Sequence, residues 1–165
     1  MAKRVAYCAM LSALAMIFGY VEALIPVNFG IPGVKLGLAN LVIVVALYLL
    51  PTHQVLFIQI ARIILVSFLF GNLSMMIYSL AGGLLSFLVM SLLKKAGGFS
   101  VIGVSIAGGV THNIGQLIVA ILVVQNMKIA YYASVLMIAG LITGGLIGML
   151  AQRIQLHMNQ DQKNI

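Results

Sequence analysis

The chain has 165 residues, 63% of them hydrophobic and 7% charged, and a formal net charge of +7; its mean hydropathy is +1.20. An ordinary soluble domain carries roughly a quarter of its residues as charges, so this composition excludes a water-soluble globular fold. Nine basic residues against two acids raise the question of nucleic acid, but they stand at the ends of apolar runs with no basic stripe and no interleaved aromatics, a topogenic pattern.

Hydrocarbon offers the backbone no hydrogen-bond partners, so only helices and closed barrels span it. The apolar runs here are unbroken rather than alternating, which predicts helices. Taking about twenty apolar residues as one crossing, the spans are Val5–Ile25, Val34–Leu50, Val55–Phe70, Leu73–Leu93, Val101–Val124 and Ile129–Ala151. The first outruns a signal-peptide core and lacks a small-x-small cleavage site, so it is expected to stay as a helix. The second and third are short. The connections PVNFGIPG, PTHQ, GN, KKAGGFS and QNMK are too short to separate domains. The expected fold is an all-α integral membrane protein, a bundle of six transmembrane helices in one domain over residues 1–165. With six alternating helices, Lys3, Arg4, Lys94, Lys95, Arg153 and Lys163 share one side, and only Lys35 and Lys128 fall on the other. The positive-inside rule then places both termini in the cytoplasm, with the 26–35 segment and the Asn72 and Lys128 turns outside.

Small residues mark where helices approach closely. The first helix carries two such stripes, Ala6, Ala9 and Ala13 on one face and Ser12, Ala15, Gly19 and Ala23 on another. A single helix in a small bundle has use for one internal smooth face; the other is expected to meet a partner protein. Gly140, Gly144 and Gly148 in the last helix, and Ser79, Gly82, Gly83 and Ser86 in the fourth, predict packing within the bundle.

Ionisable groups at membrane depth cost about 2.5–3.5 kcal/mol at a helix centre on insertion scales, so each needs a pairing or a functional explanation. Arg62 is mid-span in FIQIARIILV; it either contacts a ligand or forms a structural ion pair. In GGVTHNIGQ, His112 and Gln116 lie one turn apart with Asn113 beside them, which predicts a polar-lined cavity or a hydrogen-bond cluster between helices. Glu22, near the outer end of the first helix, is the only acid in the spans. It pairs with Arg62 or Lys35, or couples a proton. The outer segment holds Gly30, Pro32, Gly33 and Lys35, whose turn geometry can present backbone N–H groups. Together with Asn40, Arg62, His112 and Gln116 it would make a donor-rich outer half suited to a phosphate or diphosphate bearing a flat or apolar group.

Other chemistry is unsupported. A lone Cys8 provides no disulfide framework and no Cys-based metal site; no second ligand accompanies His112, so no metal is expected. There is no G-x-x-x-x-G-K-[ST] for ATP, and two acids, Glu22 and Asp161, are too few for magnesium–diphosphate catalysis. The chain is expected not to be an enzyme and to hold no covalent cofactor.

Four segments carry a family resemblance across nearly the whole chain: PGVKLGLAN at 32–40, the Arg62 helix ending FGN at Asn72, SLAGGLLSFLVM at 79–90 and SIAGGVTHNIGQ at 105–116. Together they resemble the Gx transporter family, also called heptaprenyl diphosphate synthase component I. That family is similar in size and helix count to the S-components of energy-coupling factor (ECF) transporters, six-helix subunits that bind a vitamin-like substrate and dock on a T-subunit driven by two ABC-type ATPases. The resemblance implies a bacterial cytoplasmic-membrane protein and a T-subunit contact at Ala9 and Ala13, which match an A-x-x-x-A spacing. It implies a pocket closed by the loop after helix one and adds Asn72 to the candidate substrate residues. Relatives linked to flavin export imply a flavin nucleotide as cargo. An accessory role in prenyl diphosphate metabolism and an autonomous proton-coupled carrier are the alternatives.

Overall fold

The computed structural model describes residues 2–24 and 37–163. Among these the chain is all-α: α1 Ala2–Leu24, α2 Leu38–Leu49, α3 Thr52–Phe70, α4 Leu73–Ala96, α5 Val101–Val124, a 3-10 helix Met127–Tyr132 and α6 Ala133–Lys163. Five helices are long and apolar enough to cross a membrane, and the chain is a multi-pass membrane protein. Its outer surface agrees with lipid rather than water: Phe57, Phe68 and Leu122 are each more than two-thirds exposed, a display of large apolar side chains that a soluble monomer avoids.

The second span departs from the expectation. Helix α2 covers 12 residues, about 18 Å at 1.5 Å per residue, against a hydrocarbon core near 30 Å; residues 34–36 lie outside the described chain. Its position explains why so short a helix suffices. All six residues from Val42 to Leu47 are buried beneath α1, α3 and α6, so α2 is a core element and lipid does not set its length. Gly37 precedes it with φ +76°, a left-handed turn suited to glycine. At the other end the Lys94 ammonium donates to the Leu47 carbonyl and lies 5.3 Å from the centre of the Tyr48 ring. A cation there answers the orphan carbonyls of the helix C-terminus. Lys94 and Lys95 thus belong to the last turn of α4 rather than to the following loop, and the last helix continues well past Ala151.

Helices α4, α5 and α6 meet through glycine. A Cβ on Gly144 would fall 2.8 Å from the Ile106 Cα, one on Gly148 2.8 Å from the Ile102 Cα, and one on Gly115 2.9 Å from the Gly82 Cα. At such approach main chains touch directly, which is how a bundle packs in lipid without a hydrophobic force between helices. Buried Ser105 reinforces the seam by donating its hydroxyl to the Gly144 carbonyl at 2.8 Å. On α1, the stripe with Ala15 and Gly19 faces inward, with Ala15 fully buried and Gly19 against Val66 of α3. Ala6, Ala9 and Ala13 are exposed on the outside.

Candidate functional site

All six helices contribute to one central cavity of about 80 Å³. Among the candidate residues it brings together Glu22 of α1, Asn40 of α2, Arg62 of α3, and His112 and Asn113 of α5. These positions are far apart in the chain, and the helix packing is what collects them. Thr143 of α6 and Ser67 and Ser79 add hydroxyls to the lining.

Arg62 sits ten residues after Thr52 and eight before Phe70, at least about 12 Å along the helix from either end, too deep to snorkel easily. Its Nε donates to Gln59 Oε1 at 2.9 Å. That is its only side-chain hydrogen bond within the described chain, and the residue lines the cavity. Gln59 is itself fully buried, and its Nε2 has no hydrogen-bond partner among the described residues. Gly83 makes room for it, since a Cβ there would stand 2.6 Å from Gln59 Nε2. Gln59 does not stand out in the sequence. The available signal was its spacing, three residues before Arg62 and hence on the same helix face.

Glu22 has a different attachment. Its carboxylate accepts the Gly37 N–H, tying the outer end of α1 to the start of α2. Glu22 and Arg62, whose pairing the sequence offers, share the cavity and interact electrostatically across it, while the hydrogen bond of each within the described chain goes elsewhere. Asn113 spans helices too, donating Nδ2 to the Leu136 carbonyl of α6 at 2.6 Å. Asn40 is 9% exposed, and its Oδ1 accepts nothing from the described residues.

The remaining candidates lie elsewhere. Asn72 is exposed and caps α4 by accepting the Met75 N–H at 2.8 Å. Gly30, Pro32, Gly33 and Lys35 are outside the described residues. Gln116 follows His112 by one turn, yet it lines a separate groove; both side chains fold over Gly82, where an added Cβ would meet the His112 carbonyl and Gln116 Cγ at 2.7 and 2.8 Å. This groove, about 510 Å³, is bounded by α4, α5, the 3-10 helix and the start of α6, and its walls are predominantly apolar.

Comparison with curated proteins and with solved structures finds no match. A family model described as heptaprenyl diphosphate synthase component I matches residues 11–154. This stretch takes in every side chain lining the cavity, and the chain belongs to the heptaprenyl diphosphate synthase component I family.

Proposed function

We propose that the chain is the membrane-embedded substrate-binding subunit of a transporter, similar to an ECF S-component, that carries a small anionic cofactor across a bacterial cytoplasmic membrane. The observation that carries this reading is Arg62, a guanidinium at membrane depth that lines a cavity shared by all six helices and makes one side-chain hydrogen bond, to Gln59, within the described chain. Such a group is costly to bury and is retained where it recognises something; its fork suits a phosphate. The cargo proposed is a flavin nucleotide such as FMN or FAD. The sequence has no ATP-binding loop, so energy comes from partner ATPases coupled through a T-subunit. The chain itself performs no catalysis.

The family description favours a second reading, an accessory membrane component of heptaprenyl diphosphate metabolism. Both readings use the same anion chemistry at Arg62 and differ in partner. Mass spectrometry of small molecules retained by the gently purified protein, with identification of co-purifying proteins, separates them. A T-subunit with ATPases and a retained flavin nucleotide are expected; a soluble prenyl synthase and a prenyl diphosphate would replace the first reading by the second. Absence of measurable affinity for any phosphate-bearing probe would end both.

A further inference from the structure

The central cavity and the apolar groove are neighbours, since Met75 and Ser79 of α4 line both. Each alone is an incomplete site. Ligand pockets run from roughly 300 to 1,000 Å³ and combine an apolar lining with a few placed polar groups. The cavity, about 80 Å³, has the polar groups and room only for a small oxyanion; the groove, about 510 Å³, has the volume and little to orient a ligand.

We propose that cavity and groove form one bipartite site for an amphiphilic anion, its phosphate-bearing head at Arg62 and its apolar body along Tyr78, Leu117, Ala120 and Leu136. This rests on the reading of the cavity as an anion site. Gln116 sits in the groove wall with only 8% of its surface exposed, and its carboxamide makes no hydrogen bond within the described chain. At this position the carboxamide supplies a polar contact to the part of the ligand nearest the head. Ala120 keeps the middle of the groove open, and the exposed Val124 and Tyr132 mark its mouth on the outer surface of the bundle. An ammonium- or guanidinium-bearing lipid is excluded by Arg62 at the head position. Two sources fit the shared chemistry, a terpenoid diphosphate and a flavin mononucleotide.

The test uses the full chain in phosphatidylcholine nanodiscs, titrated by calorimetry with inorganic diphosphate, farnesyl diphosphate and FMN. Farnesyl diphosphate or FMN is expected to bind at least tenfold tighter than inorganic diphosphate, and the one that does so identifies the source. Ala120→Trp, which fills the groove, should remove that tenfold gain and leave diphosphate binding unchanged, whereas Arg62→Gln should weaken both. Retained diphosphate binding also reports that the Ala120→Trp protein is folded; should it not fold, Tyr132→Ala at the groove mouth is expected to cut the gain at least threefold. Equal affinity for diphosphate and both larger probes, or an unchanged gain in a folded groove variant, would overturn the bipartite site while leaving the anion cavity standing. Failure of all three probes, diphosphate included, would instead remove the anion cavity and this inference with it.

Discussion

Arg62 is anchored to Gln59 at Nε and shares its cavity with Glu22, so ligand contact and structural pairing make opposite demands on it. If the guanidinium grips a phosphate, Arg62→Gln should weaken binding more than about tenfold, roughly 1.4 kcal/mol, while the detergent-solubilised protein melts near wild type. Lys should rescue only in part, because a point charge lacks the fork. Glu22 faces the same cavity, and a carboxylate beside a bound anion repels it, so Glu22→Gln is expected to tighten anion binding several-fold. If Arg62 serves mainly to neutralise Glu22, Arg62→Gln should instead destabilise the apo protein and the double variant should recover much of that loss. Melting and titration of both singles and the double distinguish the cases. Gln59 gives a cleaner test of positioning. Its Nε2 is buried and unpartnered, so Gln59→Leu removes a costly group and should leave the melting temperature equal or raised. Arg62 would lose its anchor at Nε, and ligand affinity should fall at least threefold. A drop in stability with unchanged affinity would show Gln59 to be ordinary core.

At the scale of the helices, adjacent glycines in α6 make opposite demands. A Cβ on Gly144 meets the Ile106 Cα at 2.8 Å and the Ser105 carbonyl at 2.9 Å, main-chain atoms that cannot swing aside; one on Gly145 finds only the end of the Ile106 side chain at 4.0 Å. Gly144→Ala should therefore cost about 1–3 kcal/mol by overpacking, whereas Gly145→Ala should be neutral or stabilising by up to about 1 kcal/mol from helix propensity. Thermal melts in one detergent compare the pair directly; equal effects would mean that the α5–α6 seam yields. These contacts also show what the sequence could disclose. Long apolar runs and small-residue spacing located α1 and α3–α6 and the seam among α4, α5 and α6, because helix length and close approach leave local signals. The second apolar run reads as short, but its 12-residue limit left no signal, since burial by neighbours replaces the length requirement of lipid. The convergence of Asn40, Arg62 and His112 was legible only as a list of costly residues. Assigning Gln116 to a different compartment from His112 required knowing where Gly82 lies. Gln59 was hidden for a simpler reason: a neutral amide near a charge looks unremarkable until its partner and its burial are known.

The whole molecule is read by its two ends and its outer face. Lys94, Lys95 and Arg153 gather at the end where α4 finishes and α6 emerges, and Lys128 is at the opposite end, so by the positive-inside rule the 97–100 turn is expected on the cytoplasmic side and the 3-10 helix outside. In a Cys8→Ser background, Met127→Cys should react with a membrane-impermeant maleimide in intact cells and Phe99→Cys only after lysis; the reverse pattern would invert the topology and move the groove to the cytoplasmic half. The last prediction concerns α1, whose two small-residue faces the structure separates. Ala15 is buried and Gly19 packs on Val66, so that face is spent within the bundle. Ala9 and Ala13 are exposed and do nothing for the isolated fold that their methyl groups could explain. A smooth face toward lipid gains nothing from being smooth, whereas a partner helix gains close approach. Ala9→Trp or Ala13→Trp is therefore expected to leave the stability of the isolated chain within about 0.5 kcal/mol of wild type, the usual range for surface changes, and to abolish co-purification with a T-subunit and its ATPases. Loss of the isolated fold would show the stripe to be internal packing after all; intact assembly with both variants would remove this face from any partner contact.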